Sequence, residues 1–215
     1  MKKILALTLL LAICLTLAVS CKKNTADGIE GVYTHGGKTY AFVNGSALVY
    51  SAEGAKFLGA SVDGDNVTVD GTTIARNDLA KGSLAKCNAS NDYFEIKTVA
   101  GIKTVTALTE AGKSQSALVI PEGVGDIAAG VFEGTSVKAV VITEGAKLNL
   151  SNGCFKNGGS LAVFISGSIA PADLTCGKSL LDGSTGVTFY IEKAALSTYQ
   201  GHYNWGNFKS NMKGI

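Results

Sequence analysis

The side chains best suited to nucleophilic, proton-transfer or metal chemistry are two histidines, His35 and His202, and three cysteines beyond residue 21, Cys87, Cys154 and Cys176. An imidazole titrates near neutrality, and a thiol held beside one becomes an activated nucleophile. The spacing does not set up such a pair. His35 lies in THGGK, a glycine turn, and reads as a solvated turn residue; His202 lies in QGHYNWG and reads as a packing or hydrogen-bonding residue near the C terminus. There is no C-x-x-C pair, so clustered ligands for a structural metal are not expected. Asp63, Asp65 and Asp70 suggest calcium, but the EF-hand spacing and its terminal glutamate are missing. They read as turn carboxylates. Neither G-x-S-x-G nor a P-loop occurs. The sequence therefore predicts a protein without catalysis, metal or cofactor.

The N terminus indicates an address. MKKILALTLLLAICLTLAVSC places two lysines before an apolar run from Ile4 to Val19, the pattern of a secretory signal peptide over residues 1–20. Ala18-Val19-Ser20-Cys21 resembles the lipobox of bacterial lipoproteins, with alanine where leucine is usual. The resemblance implies diacylglyceryl attachment at Cys21 and a short tether over 21–27. Ordinary signal-peptidase cleavage is the alternative. Removing residues 1–20 takes Lys2 and Lys3 from 19 basic residues against 17 acidic ones, which leaves no net charge. With no basic block beyond Lys22-Lys23, a nucleic-acid footprint is absent.

The elements that position these side chains fall into two regions of different character. Residues 28–100 alternate apolar and polar, with Tyr40 and Phe42, Leu48 and Tyr50, and Val67 and Val69 as pairs. Asn44-Gly45, Asp63-Gly64 and Asp70-Gly71 separate the runs, which predicts a small antiparallel meander. It is expected either to cover one end of the C-terminal half of the chain or to act as a separate binding module.

From residue 101 a period appears. The apolar pairs Leu118/Ile120, Val140/Ile142, Val163/Ile165 and Phe189/Ile191 recur at intervals of 22, 23 and 26 residues. Ten residues before each of the last three pair-ends lie Phe132, Phe155 and Leu181, each followed by a glycine turn. One short strand per coil of about 23 residues is the period of a leucine-rich repeat. Cys154 and Cys176 are one such interval apart. They read as two buried free thiols, a rung-to-rung disulfide being the alternative.

ALVIPEGVGDIAAGVFEGTSVKAVVI, residues 117–142, resembles the unit of the BspA-like bacterial surface leucine-rich repeats. VTALTEAGKSQS at 105–116 resembles the lead-in to such arrays, and FYIEKAALSTYQGHYNWGNFKSNMKGI their terminus. The resemblance implies a mainly β protein: a short leucine-rich repeat solenoid of about three coils over 101–193, with a C-terminal helical cap over 194–215. It implies surface display, at the outer membrane or cell surface, and attachment to a protein ligand of a host or other cell. A structural or scaffolding lipoprotein facing the periplasm is the alternative. Between the inward pairs, Val119, Val141, Phe164 and Tyr190 point the other way, one per rung. They form the candidate binding face, or else a ladder buried beneath a packed neighbour.

Overall fold

The computed structural model describes residues 28–87, 91–157 and 159–215. The expected leader, the tether and Cys21 lie outside the described residues.

Strands β1 (Gly31–His35), β2 (Lys38–Val43), β3 (Ser46–Ser51), β4 (Gly54–Asp63), β5 (Asn66–Val69) and β6 (Thr72–Ala75) form an antiparallel meander. The short β7 (Ala80–Lys81) pairs with the free edge of β1, giving the order β6-β5-β4-β3-β2-β1-β7. Asn44 and Asp70 take left-handed φ values of 45° and 50° ahead of Gly45 and Gly71. This is the backbone that a tight two-residue hairpin turn requires, and asparagine and aspartate tolerate it. The sheet curls on itself, so Tyr40, Phe42, Val67, Val69 and Ile74 gather in one inner cluster. Its outer face presents Val32, Ala41, Val43, Leu48 and Tyr50. Residues 40–43 are consequently buried without a break, since β2 has packing on both sides.

The rest of the chain alternates between two further sheets. One contains β10 (Ala117–Val119), β12 (Ala139–Ile142), β14 (Leu161–Ile165), β16 (Val187–Ile191) and the terminal β17 (Met212–Gly214), all parallel. The other contains β15 (Leu174–Cys176), β13 (Leu148–Leu150), β11 (Asp126–Ile127) and β9 (Ile102–Leu108) in parallel, closed by an antiparallel β8 (Phe94–Val99). Val105, Ile127, Leu150 and Cys176 align in this second sheet, spaced as Ala117, Ala139, Ala162 and Thr188 are in the first. Between the two sheets lies the largest core, with Leu118, Ile120, Ile127, Phe132, Phe155, Val163 and Phe189 inside it. Phe132 and Phe155 stack with centroids 6.0 Å apart.

Both ends are closed. The short α1 (Glu110–Lys113) starts at Thr109, whose hydroxyl accepts from the Gly112 amide at 3.1 Å. Gly112 must be glycine, because a Cβ there would collide with the Tyr93 carbonyl. At the other end, α2 (Lys193–Gly201) and a 3-10 segment over Trp205–Asn211 bring Tyr199 and Trp205 into the core. The Trp205 indole donates to the Leu174 carbonyl at 2.7 Å, and the Tyr199 hydroxyl donates to Ile169 at 3.0 Å.

This architecture corrects the expected leucine-rich repeat solenoid. Each turn of chain contributes a strand to each of two parallel sheets instead of one strand and a return arm, and the 17 strands among the described residues fall into three sheets. The arm containing Ile127 hydrogen-bonds as β11, and those containing Leu150 and Cys176 as β13 and β15. The expected boundary at residue 100 also moves, since it falls in the turn of the β8–β9 hairpin, both of whose strands belong to the second sheet. Nor does the meander sit across one end of the coils. It lies over the outer face of the first parallel sheet.

Candidate functional site

The proposed face is not a surface. Val119, Val141, Phe164 and Tyr190 are at most 7% exposed, because the outer side of the curled sheet packs on them. Phe164 lies against Tyr190 with ring centroids 5.1 Å apart and meets Phe57 of β4 at 6.2 Å. Asn44, in the β2–β3 turn, donates its amide to the Tyr190 hydroxyl at 2.9 Å. Burial pushes the Tyr190 phenol above its ordinary value, against the hydrogen bond from Asn44. Of the two readings that the sequence leaves open, the ladder under a packed neighbour is the one observed.

The segment after β7 fastens this cover. Leu84 is completely buried beneath it, and its amide donates to Glu192 Oε1 at 2.6 Å. The other carboxylate oxygen of Glu192 accepts from the Gly167 amide at 2.7 Å. One side chain thus joins the strap to two turns of the stack. Further along, Lys86 pairs with Glu122 at 2.6 Å, and the Cys87 thiol donates to the Ser51 carbonyl at 3.0 Å.

The remaining chemistry-bearing residues are dispersed. His35 Nδ1 lies 3.2 Å from the Asp78 carbonyl on an exposed hairpin end. His202 packs on Tyr203 at 4.5 Å, and its buried Nδ1 has no partner among the described residues. Cys154 and Cys176 are free thiols, as is Cys87. Burial raises all three, Cys176 to about 11, which suppresses the thiolate on which nucleophilicity depends. Asp63 pairs with Asn66 across a turn, and Asp70 occupies another. Among the described residues no three potential ligands cluster about a metal position, and no helix is long and apolar enough to cross a membrane.

A concavity emerges that sequence reading missed. The inner side of the curled sheet leaves a cup of about 300 Å³ at one end. Tyr40, Val49, Leu58, Val69 and Ile74 line it, Lys38, Lys56, Glu53 and Asp70 border it, and Tyr93 and Gln115 approach from the parallel stack. Cross-strand register puts Tyr40, Val49 and Lys56 in one row over β2, β3 and β4. The apolar surroundings raise the Tyr40 phenol. Among the described residues neither Lys38 nor Lys56 has an ion-pair partner. The signal in the sequence was KTYAFV: Lys38, Tyr40 and Phe42 share a face while Ala41 and Val43 are apolar too, so both sides of β2 needed packing. A larger groove of about 660 Å³ runs under the strap along the corners of the stack, but Lys86 and Glu122 in its wall already neutralise each other.

The cup can hold one bulky apolar group and satisfy charges of either sign beside it. It contains no nucleophile-and-base pair. Comparison of the chain with protein-family models, with curated proteins and with solved structures gave no match.

Proposed function

We propose that this chain is a non-catalytic binding protein of the bacterial cell envelope, tethered through lipid on Cys21, and that it takes a protein ligand at the cup of the curled sheet. The single observation behind the choice of site is the cup: an apolar floor of Tyr40, Val49, Leu58, Val69 and Ile74 inside a rim of lysines and carboxylates. Interfaces draw most of their affinity from a few bulky side chains seated in such pockets, with charged rims setting orientation. The envelope address rests on the leader and on the lipobox-like Ala18–Cys21, and display to a host or other cell rests on the resemblance of residues 117–142 to BspA-like units. The leucine-rich repeat face is no longer part of this reading, since the residues that composed it are covered.

The alternative, a scaffolding lipoprotein facing the periplasm, draws support from that same burial, which removes the largest apolar surface from contact with partners. Protease treatment of intact cells separates the two, and a chain that resists until the envelope is opened would reject display. The site is tested by pull-down with the Lys38→Glu, Lys56→Glu pair. The captured partner should be lost while the thermal midpoint stays within a degree or two, and undiminished capture would reject the cup. Detergent-phase partition that persists in Cys21→Ser would reject the lipid tether.

A further inference from the structure

Three large apolar side chains are strongly exposed among the described residues, and two of them share one turn: Val99 at 52% and Ile102 at 50%, paired across the tip of the β8–β9 hairpin. Ala100 and Gly101 between them are exposed as well. The tip is therefore a convex knob of apolar residues, V-A-G-I, at the first-coil end of the molecule. Single exposed apolar residues are ordinary, but a cluster of them at a tight turn is not.

The backbone supports this independently. Among the described residues, three that are not glycine take left-handed φ values: Asn44, Asp70 and Ala100. The first two are the residue types that such turns favour, because their short polar side chains tolerate that conformation. Ala100, at φ 50°, has no such compensation. An apolar side chain occupies here the position that the other two turns fill with a polar one.

The flanking charges indicate what the knob meets. Lys97 and Lys103 sit on either strand just behind the tip, both exposed, and no acidic residue occurs from Ile96 to Thr109. The carboxylates nearby are otherwise engaged or set back. Glu122, which shares a groove with Lys103, is paired with Lys86 at 2.6 Å; Asp126, level with Thr104, accepts from Asn149 at 2.8 Å; Glu95 lies at the far end of β8. We infer that the β8–β9 tip inserts Val99, Ala100 and Ile102 into an anionic lipid surface, with Lys97 and Lys103 placed at the headgroups. A narrow convex apolar tip needs a matching pocket on a protein partner, whereas an interface of headgroups and acyl chains yields around it. Paired lysines add attraction only where the lipids are anionic.

The inference does not rest on the N-terminal tether, and its test reads the tip alone. A genetically encoded fluorescent amino acid replaces Val99 in the full chain, and in a second sample replaces Asn149, which is exposed on the same sheet. Each protein is mixed with vesicles of phosphatidylglycerol and phosphatidylcholine in equal parts, or of phosphatidylcholine alone, and titrated with an aqueous quencher. The probe at position 99 should be shielded on anionic vesicles and not on neutral ones, while the probe at 149 stays open on both. Lys97→Glu with Lys103→Glu should return position 99 to its accessibility in solution. Equal accessibility at 99 with and without anionic vesicles would overturn the inference, leaving a protein partner for the tip. Shielding that is as strong on neutral vesicles, or that survives the charge reversal, would overturn the assignment to anionic lipid. Circular dichroism on each variant confirms that the hairpin has folded.

Discussion

The two parallel sheets are built from the same turns of chain at the same intervals, and their outward faces could hardly differ more. On the sheet containing β14, the outward row is Val119, Val141, Phe164 and Tyr190, buried under the curled sheet. On the sheet containing β13, the corresponding row is Thr104, Asp126, Asn149 and Thr175. These side chains hydrogen-bond along the rungs: Asn149 donates to Asp126 at 2.8 Å, and Thr175 donates to Asn149 at 3.1 Å. A parallel stack with one core needs only its inner face to be apolar. An apolar outer row on one sheet, and on the other a polar row that is open at Asn149 and Thr175, half-buried at Asp126 and buried only at Thr104, therefore distinguish the side that is covered from the side that meets water.

Substitutions at matched positions put that distinction at risk. Phe164→Ala should lower unfolding free energy in urea by about 3–5 kcal/mol, the range for truncating a fully buried aromatic side chain. A loss below about 0.5 kcal/mol would mean that the cover is not seated. Alkali should attack the same side. Burial raises the phenols of Tyr50 and Tyr190 above 10.0, so their folded forms hold the proton longer than their unfolded ones. That contribution to stability is complete below the unfolded value and fades as pH climbs through the folded one. The urea midpoint should therefore drop above pH 10, and Tyr190→Phe should flatten part of the drop; a midpoint that is level there would contradict burial of these hydroxyls.

Smaller effects are expected where the cover is fastened and on the open side. Glu192→Ala leaves the Leu84 and Gly167 amides without their carboxylate and should cost about 2 kcal/mol, with faster proteolysis at residues 81–87 as its local signature. Asn44→Ala, which unties the Tyr190 hydroxyl, should cost about 1 kcal/mol. On the polar row, Asn149→Ala should change stability by less than about 0.5 kcal/mol. A loss there as large as at Phe164 would erase the difference between the two faces.

Much of this was legible in the residues. The pairs Leu118/Ile120, Val140/Ile142, Val163/Ile165 and Phe189/Ile191 face the main core, and Phe132 and Phe155 stack within it. The Asn-Gly and Asp-Gly turns mark hairpin turns between adjacent strands. What failed to show was the second strand of each turn. β11 is two residues long and β13 and β15 three, so alternation within any one of them is too brief to register. The location of the cover failed for another reason. Nothing local to Val119 or Val141 tells an interaction surface from an intramolecular one; only the apolar outer side of the curled sheet, more than sixty residues earlier, decides it. For the candidate site, the cup depends on curvature, which no alternation pattern encodes, although the double-sided burial of β2 announced that the sheet had two neighbours.

The ties between Asn44 and Tyr190 and between Leu84 and Glu192 span 146 and 108 residues of chain. Synthesis runs from the N terminus, so the curled sheet is complete long before the strands it covers exist. Until the row of Val119, Val141, Phe164 and Tyr190 has emerged, Val32, Ala41, Val43 and Leu48 lack their complete lid. Contacts of such separation form slowly, and an apolar sheet face left waiting is open to pairing with other chains. A chain cut short before residue 190 would thus present a sticky half-product instead of a smaller version of the protein, and its yield in cells becomes a matter of timing as much as of stability.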